Sequence, residues 1–133
     1  MGRLETAIRS LKYDAQGLVP VVCVDSGTRQ VLMLAYADEQ ALLETARTGK
    51  AHFYSRSRRR QWMKGETSGH VQEVRAILTD CDMDAVVLEV VQHGAACHEG
   101  YYSCFFRRLN TAGQWEAIAK KVFEPSRVYK DRT

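Results

Sequence analysis

The chain has 133 residues, a length that fits one domain able to bury a proper core. Its 45% apolar and 26% charged content is ordinary for a globular protein and excludes a disordered chain, a collagen-like fibre and a coiled coil. With 19 basic residues against 16 acidic ones, the formal charge of +3 is too mild to imply nucleic acid by itself. The longest apolar run, residues 19–24, is interrupted by Pro20 and falls far short of a membrane span. Residues 1–16 carry Arg3, Glu5, Arg9, Lys12 and Asp14 where a signal peptide would be apolar, so a cytoplasmic location is expected. Thiols stay reduced there, which makes the four cysteines buried fillers, metal ligands or reactive thiols rather than disulfides.

In chain order, Leu4, Ile8 and Leu11 predict a short helix over residues 3–12 that ends before Gly17. Residues 18–24 read as a buried strand, Asp25-Ser26-Gly27-Thr28 as a turn and residues 30–36 as the return strand. Asp38 is placed to cap a helix through Ala41, Leu42, Leu43 and Ala46, with Gly49 at its stop. Residues 51–55 read as a strand. Residues 56–69 are polar, basic and without periodicity, and are expected to form a long functional loop. Strands are predicted over 70–80 and 85–92, a loop over 94–100, a strand over 103–109, a turn over 110–113 and a strand over 114–119. Many strands with one or two helices predict an α+β fold with mainly antiparallel pairing, in a single domain over residues 1–133.

Asp80-Cys81-Asp82-Met83-Asp84 is the densest chemical signal. In an extended chain Asp80, Asp82 and Asp84 share one face and Cys81 points to the other. Converging carboxylates repel unless a cation neutralises them, and hard oxygen ligands suit Mg²⁺ or Ca²⁺. An EF-hand would need glycine where Ala85 stands and glutamate where Val91 stands. The competing reading is a solvated acidic turn between two strands.

Cys81, Cys97 and Cys104 lie close together in sequence near strand ends, whereas Cys23 sits inside an apolar run and reads as core. Three soft thiolates with an open fourth position are the catalytic zinc pattern. Scattered structural cysteines are the alternative. His98 adjoins Cys97 and suits a ligand, a proton shuttle or a hydrogen-bonded loop residue. His52 and His70 flank the basic stretch, and each is more often structural when considered alone.

Residues 55–70 read SRSRRRQWMKGETSGH. The guanidinium forks of Arg56 and Arg58 match phosphate oxygens bidentately, and Lys64 adds a point charge. Trp62 offers a face to a base. Thr67, Ser68 and Gly69 offer hydroxyls and an accessible amide for phosphate. Glu66 suits proton transfer. A phosphorylated nucleotide, a single-stranded RNA and plain solvent all fit such a stretch.

Taken together, these signals resemble the phosphoribosyl-AMP cyclohydrolases of histidine biosynthesis. The resemblance is carried by Leu32-Met33-Leu34-Ala35-Tyr36, Thr48-Gly49-Lys50-Ala51-His52, Ser55-Arg56-Ser57-Arg58 and Trp62 with Lys64-Gly65-Glu66-Thr67-Ser68-Gly69-His70. It continues in Asp80-Cys81-Asp82-Met83-Asp84-Ala85, Cys97-His98-Glu99-Gly100 and Ser103-Cys104-Phe105, and covers roughly residues 17–108. The family often has basic residues before the serine of its last cysteine motif, where this chain has Tyr101 and Tyr102.

The resemblance implies hydrolytic opening of the adenine ring of phosphoribosyl-AMP between N1 and C6. It implies one zinc per subunit on Cys81, Cys97 and Cys104, and Mg²⁺ on Asp80, Asp82 and Asp84. It implies an intertwined homodimer with a shared zinc site, Cys81 from one protomer and Cys97 with Cys104 from the other. His98, then His70 and Glu66, are the proton-transfer candidates. Arg56, Arg58, Trp62, Lys64, Thr67, Ser68 and Gly69 are the substrate contacts. Some family members carry a fused pyrophosphohydrolase domain, and this chain is expected to be monofunctional. No nucleic acid or membrane partner is expected. An RNA-binding module and a metal-stabilised dimer without catalysis are the alternatives, the first predicting salt-sensitive RNA affinity.

Overall fold

The computed structural model describes residues 2–128. Its elements in chain order are α1 (Arg3–Arg9), β1 (Val19–Asp25), β2 (Val31–Ala37), α2 (Glu39–Thr48), β3 (His52–Ser55) and β4 (Arg60–Met63). They continue with β5 (Gln72–Thr79), β6 (Val86–Gln92), β7 (Arg107–Leu109), β8 (Trp115–Ala117) and the single turn α3 (Pro125–Val128). Residues 129–133 of the charged C-terminal stretch lie outside the described residues.

Alternation decides which faces are buried. Val19, Val21 and Cys23 on β1 point into the core, and so do Val86, Leu88 and Val90 on β6. These strands form the centre of a four-stranded sheet in the order β2-β1-β6-β5. Leu32, Ala41, Leu42 and Phe53 complete the buried cluster, each fully buried. A valine, leucine or phenylalanine side chain contributes about 1.5–3 kcal/mol when fully buried. Cys23 is therefore part of the core.

Strand pairing is antiparallel in β1–β2, β3–β4, β5–β6 and β7–β8. The central β1–β6 pair is parallel, with Val21 opposite Val86 and Cys23 opposite Leu88. A parallel pair needs a long crossover, and the chain from β2 to β5 supplies it. Pro20 faces Tyr36 one residue before the β6 pairing begins, so its missing N–H interrupts no central ladder. The fold is α+β and mostly antiparallel, as expected.

The helix α2 starts and stops where its caps predict. The Asp38 carboxylate accepts from the Ala41 amide at 2.8 Å, and the Gly49 amide donates to the Thr45 carbonyl at 2.9 Å. Buried Thr45 donates its hydroxyl to Ala41 and accepts from the His52 amide at 2.9 Å, which ties the helix to β3.

Three expectations need correction. The first is the loop over 56–69, which contains β4. Phe53 and Trp62 sit opposite each other with ring centroids 5.0 Å apart, and this contact closes a β3–β4 hairpin whose tip is the basic run. The expected strand over 103–109 shrinks to Arg107–Leu109. Residues before it are strapped across the edge of β2: the Ser103 hydroxyl donates to Val31 at 2.7 Å, and the Cys104 amide donates to Leu32 at 2.7 Å. Finally, the acidic cluster is not extended. It forms the turn between β5 and β6, so its carboxylates converge by turn geometry rather than by strand alternation.

Candidate active site

The β3–β4 hairpin builds one wall of a cavity of about 760 Å³. Two anchors fix the hairpin. Gln61 on β4 donates to both carboxylate oxygens of Asp38, at 2.8 and 2.6 Å, so one residue caps α2 and orients β4. Lys64 donates its amide to Ala51 at 3.0 Å, and its ammonium to the Ala96 carbonyl. The second contact joins the basic wall to the loop that carries Cys97 and His98.

Arg56, Arg58, Trp62, Lys64, Thr67 and Ser68 all line this cavity, as do Glu66 and His98. Gly69 and His70 do not. Gly69 closes the loop by donating to the Gly65 carbonyl at 2.8 Å. Gly65 has φ +86, and a Cβ there would meet the His70 carbonyl carbon and the Val71 nitrogen at 2.5 Å, so no other residue fits without displacing backbone.

His70 packs edge-on against Phe123 at 4.8 Å, and its Nδ1 accepts from the Ala95 amide at 3.3 Å. Gly94, at φ +68, lets this ring approach; a Cβ there would lie 2.4 Å from it. His70 thus supports the loop before Cys97. The same region is tied by two buried amides: Gln72 donates to Gln92 at 2.8 Å, and Gln92 donates to the His70 and His93 carbonyls. His52 Nδ1 lies 2.7 Å from the Lys50 carbonyl, and His93 pairs with Glu73 at 3.1 Å.

The cysteines divide into two places. Cys97 is buried and its sulfur accepts from the Glu99 amide at 3.4 Å. Cys104 stands beside it. Local packing around the Cys104 thiol, then the neighbouring Cys97, push it up to about 11, while the Lys64 ammonium acts in the opposite sense. Cys81 is exposed in the acidic turn. Among the described residues, the three thiols do not come within ligand reach of one another in one chain. A thiol whose ionisation is opposed by its surroundings and by an adjacent cysteine suits a soft cation, which would favour the thiolate.

At the acidic turn, Asp80, Asp82 and Asp84 bring carboxylate oxygens within 4.8 Å of one another. That spacing fits one hard divalent cation with oxygen ligands at about 2.1–2.5 Å. The Asp80 side chain accepts from the Asp84 amide at 3.1 Å and the Ala85 amide at 3.3 Å. Desolvation opposes ionisation of Asp80, but the Asp84 amide, hydrogen bonds with the Asp82 and Asp84 carboxyls, and the Ala85 amide together outweigh it and hold the carboxyl below its ordinary range. Asp84 is pushed up, first by its hydrogen bond with Asp82, then by desolvation and by Asp80.

Several residues of these surfaces were not assigned a site role from the sequence, although Tyr36, Ser55 and Arg60 lie within the stretches quoted above. Tyr36, Tyr54, Ser55 and Arg60 line the cavity. Arg60 pairs with Glu66 at 3.2 Å. The signal for Tyr36 was its place at the end of an apolar strand just before a helix cap, where a side chain reaches the sheet rim. Lys12, Tyr13 and Asp14 border a second cleft of about 520 Å³ with Asp82 and Asp84, and the Lys12 amide donates to Met83 at 2.7 Å. Tyr101 and Tyr102 serve the fold: Tyr101 stacks on Phe106 at 3.6 Å, and the Tyr102 hydroxyl donates to Asp25.

Residues 33–106, which span the cavity wall, the acidic turn and the thiol pair, match the family model for phosphoribosyl-AMP cyclohydrolase. The chain belongs to this family. A phosphoribosyl-AMP cyclohydrolase of Pelotomaculum thermopropionicum is 53% identical over 123 residues, covering 92% of this chain and 95% of the relative. One from Methanobrevibacter smithii is 54% identical over 125 residues, covering 89% and 95%. The histidine biosynthesis bifunctional protein HisIE of Thermoanaerobacter pseudethanolicus is 43% identical over 127 residues, covering 96% of this chain and 58% of that protein. Cyclohydrolases of this family are hydrolases acting on a cyclic amidine. Among the described residues, no helix is long and apolar enough to cross a membrane.

Proposed function

We propose that this chain hydrolyses phosphoribosyl-AMP in histidine biosynthesis, opening the adenine ring between N1 and C6. One observation carries the reading: in a chain of this family, a cavity of about 760 Å³ gathers Arg56, Arg58, Lys64, Trp62, Ser68 and His98, with Lys64 tied to the loop of Cys97. The substrate has two phosphates and a flat base, and the lining offers guanidinium forks, an ammonium, hydroxyls and an indole to match.

The phosphoribosyl group on N1 withdraws electrons from the ring and leaves C6 open to attack by water. Water must lose a proton and N1 must gain one. His98, exposed on the cavity wall next to Cys97, delivers the proton to N1. Glu66 is the next candidate for proton transfer, and its pairing with Arg60 fixes where its carboxylate stands. His70 is the third, and it supports the loop that positions His98. Arg56, Arg58, Lys64, Thr67 and Ser68 hold the phosphates, while Gly69, expected to offer its amide, donates that amide to Gly65 and closes the loop that carries Ser68.

Cys81, Cys97 and Cys104 hold one zinc per subunit in this reading, and Asp80, Asp82 and Asp84 hold Mg²⁺. When bound, zinc supplies a Lewis acid that activates water at neutral pH. Because Cys81 lies apart from the thiol pair within one chain, the reading includes a homodimer that joins them across its interface, working in the cytoplasm.

The test is purified protein with phosphoribosyl-AMP, followed by the ultraviolet change as the ring opens. Turnover is expected. Cys81→Ser, Cys97→Ser and Cys104→Ser should each abolish it and lower zinc content, whereas Cys23→Ser should keep both. Zinc lost from Cys23→Ser but kept by Cys97→Ser would refute the ligand assignment. No spectral change in zinc- and magnesium-replete protein would refute the activity.

A further inference from the structure

The cations of the cavity wall are held in chemically different ways. Arg60 is neutralised by Glu66 at 3.2 Å. Lys64 has committed a donor to the Ala96 carbonyl. Arg56 instead lies over the ring of Tyr36, its guanidinium carbon 3.9 Å from the ring centroid. An aromatic face attracts a cation through its quadrupole without cancelling the charge, and a stacked guanidinium keeps its in-plane N–H groups open.

The two partners come from different elements. Tyr36 is half-buried on β2, opposite Pro20 in the sheet, while Arg56 is exposed in the turn just after β3. Arg58 and Lys64 in the same wall carry like charge, which disfavours Arg56 lying close to them. The Tyr36 ring is the contact that holds it against the sheet.

We infer that Tyr36 is a positioning residue: its ring clamps the Arg56 guanidinium flat on the cavity wall so that the open edge of the fork receives a phosphate of the ligand. This rests on the proposed cyclohydrolase reading for the identity of the substrate, but not for the clamp itself. The ring face makes the contact, so phenylalanine at this position should retain it. An aliphatic residue should lose it while keeping the strand, for which a β-branched side chain is suited.

The experiment is a double-mutant cycle on Tyr36→Ile and Arg56→Ala, with Tyr36→Phe as the conservative variant. Two readouts are taken: KM and kcat with phosphoribosyl-AMP, and the Kd of AMP by calorimetry, which needs no turnover. Tyr36→Ile should raise KM and the AMP Kd about three- to fivefold, the range of an exposed cation–π contact, with a smaller change in kcat. Tyr36→Phe should restore both constants. In the Arg56→Ala background, Tyr36→Ile should have no further effect. A Tyr36→Ile loss of the same size in that background would overturn the inference, and so would AMP affinity indifferent to Tyr36→Ile. If the wild-type chain binds AMP but does not open phosphoribosyl-AMP, the cyclohydrolase reading fails, and the AMP cycle still decides the clamp.

Discussion

The basic cavity and the acidic turn are both built at the tips of hairpins, but they are stabilised in opposite ways. Along the β3–β4 hairpin and its flank five side chains each have a partner that fixes them: Trp62 on Phe53, Gln61 on Asp38, Lys64 on Ala96, Arg56 on Tyr36, Arg60 on Glu66. The wall is pre-organised by packing and needs no ligand to exist. In the β5–β6 turn the backbone is fixed, by the Asp84 and Ala85 amides on Asp80 and by Lys12 on Met83, while the carboxylates it gathers still repel one another. A turn of that kind holds its shape through hydrogen bonds and gains from a bound cation. Each region also carries part of the thiol set, Cys81 in the turn and Cys97 with Cys104 beside the cavity.

The largest test asks whether the two regions meet across a dimer. Chains carrying Cys81→Ser and chains carrying Cys97→Ser are each expected to be inactive. Mixed and reassembled, they should recover activity. A mixed dimer holds one site with both lesions and one with neither. Random exchange makes about half the dimers mixed, so about a quarter of wild-type activity should return. A zinc site contained in one chain would give no recovery.

Next comes the difference in what supports each region. Trp62→Ala removes a half-buried ring from Phe53 and should cost about 2–3 kcal/mol by denaturant unfolding, together with a rise in KM. Asp82→Ala, in the turn, should change stability by no more than about 0.5 kcal/mol without divalent cations and should remove the stabilisation that added Mg²⁺ gives the wild type. A larger loss from Asp82→Ala than from Trp62→Ala would reverse the comparison.

The sequence made the chemistry of these regions more legible than their shapes. Apolar alternation placed β1 and β6, and Asp38 with Gly49 bounded α2, because those signals act within a few residues. The β4 strand was hidden because its pairing rests on Phe53 meeting Trp62, a contact between segments whose basic side chains look like loop. The β2 strap was hidden for the same reason: Ser103 bonds Val31 across 72 residues of sequence, and no local pattern announces it. The acidic residues were found, but their convergence comes from the turn rather than from strand alternation. Tyr36 could be read as a strand residue, whereas its partnership with Arg56 exists only once the hairpin has folded onto the sheet.

A smaller effect concerns the strap that carries Cys104. The Tyr102 hydroxyl donates to Asp25, and this bond, followed by the Thr28 amide, holds the Asp25 carboxyl below its usual range even though desolvation opposes it. A carboxyl lowered in the folded state contributes stability that is present above its unfolded pKa of about 3.9 and lost as pH falls through the folded value. Tyr102→Phe should therefore cost about 1 kcal/mol at neutral pH, the bond being charge-assisted but partly solvent-screened. The cost should shrink as the acid limb is descended. A cost that stays constant down the acid limb would show that Tyr102 acts through packing alone.

The smallest effect is expected at Met83, and it should be a gain. Met83 sits at φ +61 in the acidic turn, in the left-handed region where a side chain is strained. The turn holds it there by two backbone bonds: its amide donates to the Asp80 carbonyl at 3.1 Å, and its carbonyl accepts from Lys12 at 2.7 Å. Glycine adopts this conformation without strain, at the expense of more freedom in the unfolded chain. Relief of about 1–2 kcal/mol set against about 0.5–1 kcal/mol of added unfolded-state entropy leaves Met83→Gly more stable by about 0.5 kcal/mol. The measurement is the denaturant midpoint at unchanged slope, taken with and without Mg²⁺. If backbone hydrogen bonds shape the turn as the comparison holds, the gain should be the same in both conditions. A gain confined to the Mg²⁺-free protein would mean that the cation, and not the backbone, sets the shape of the turn.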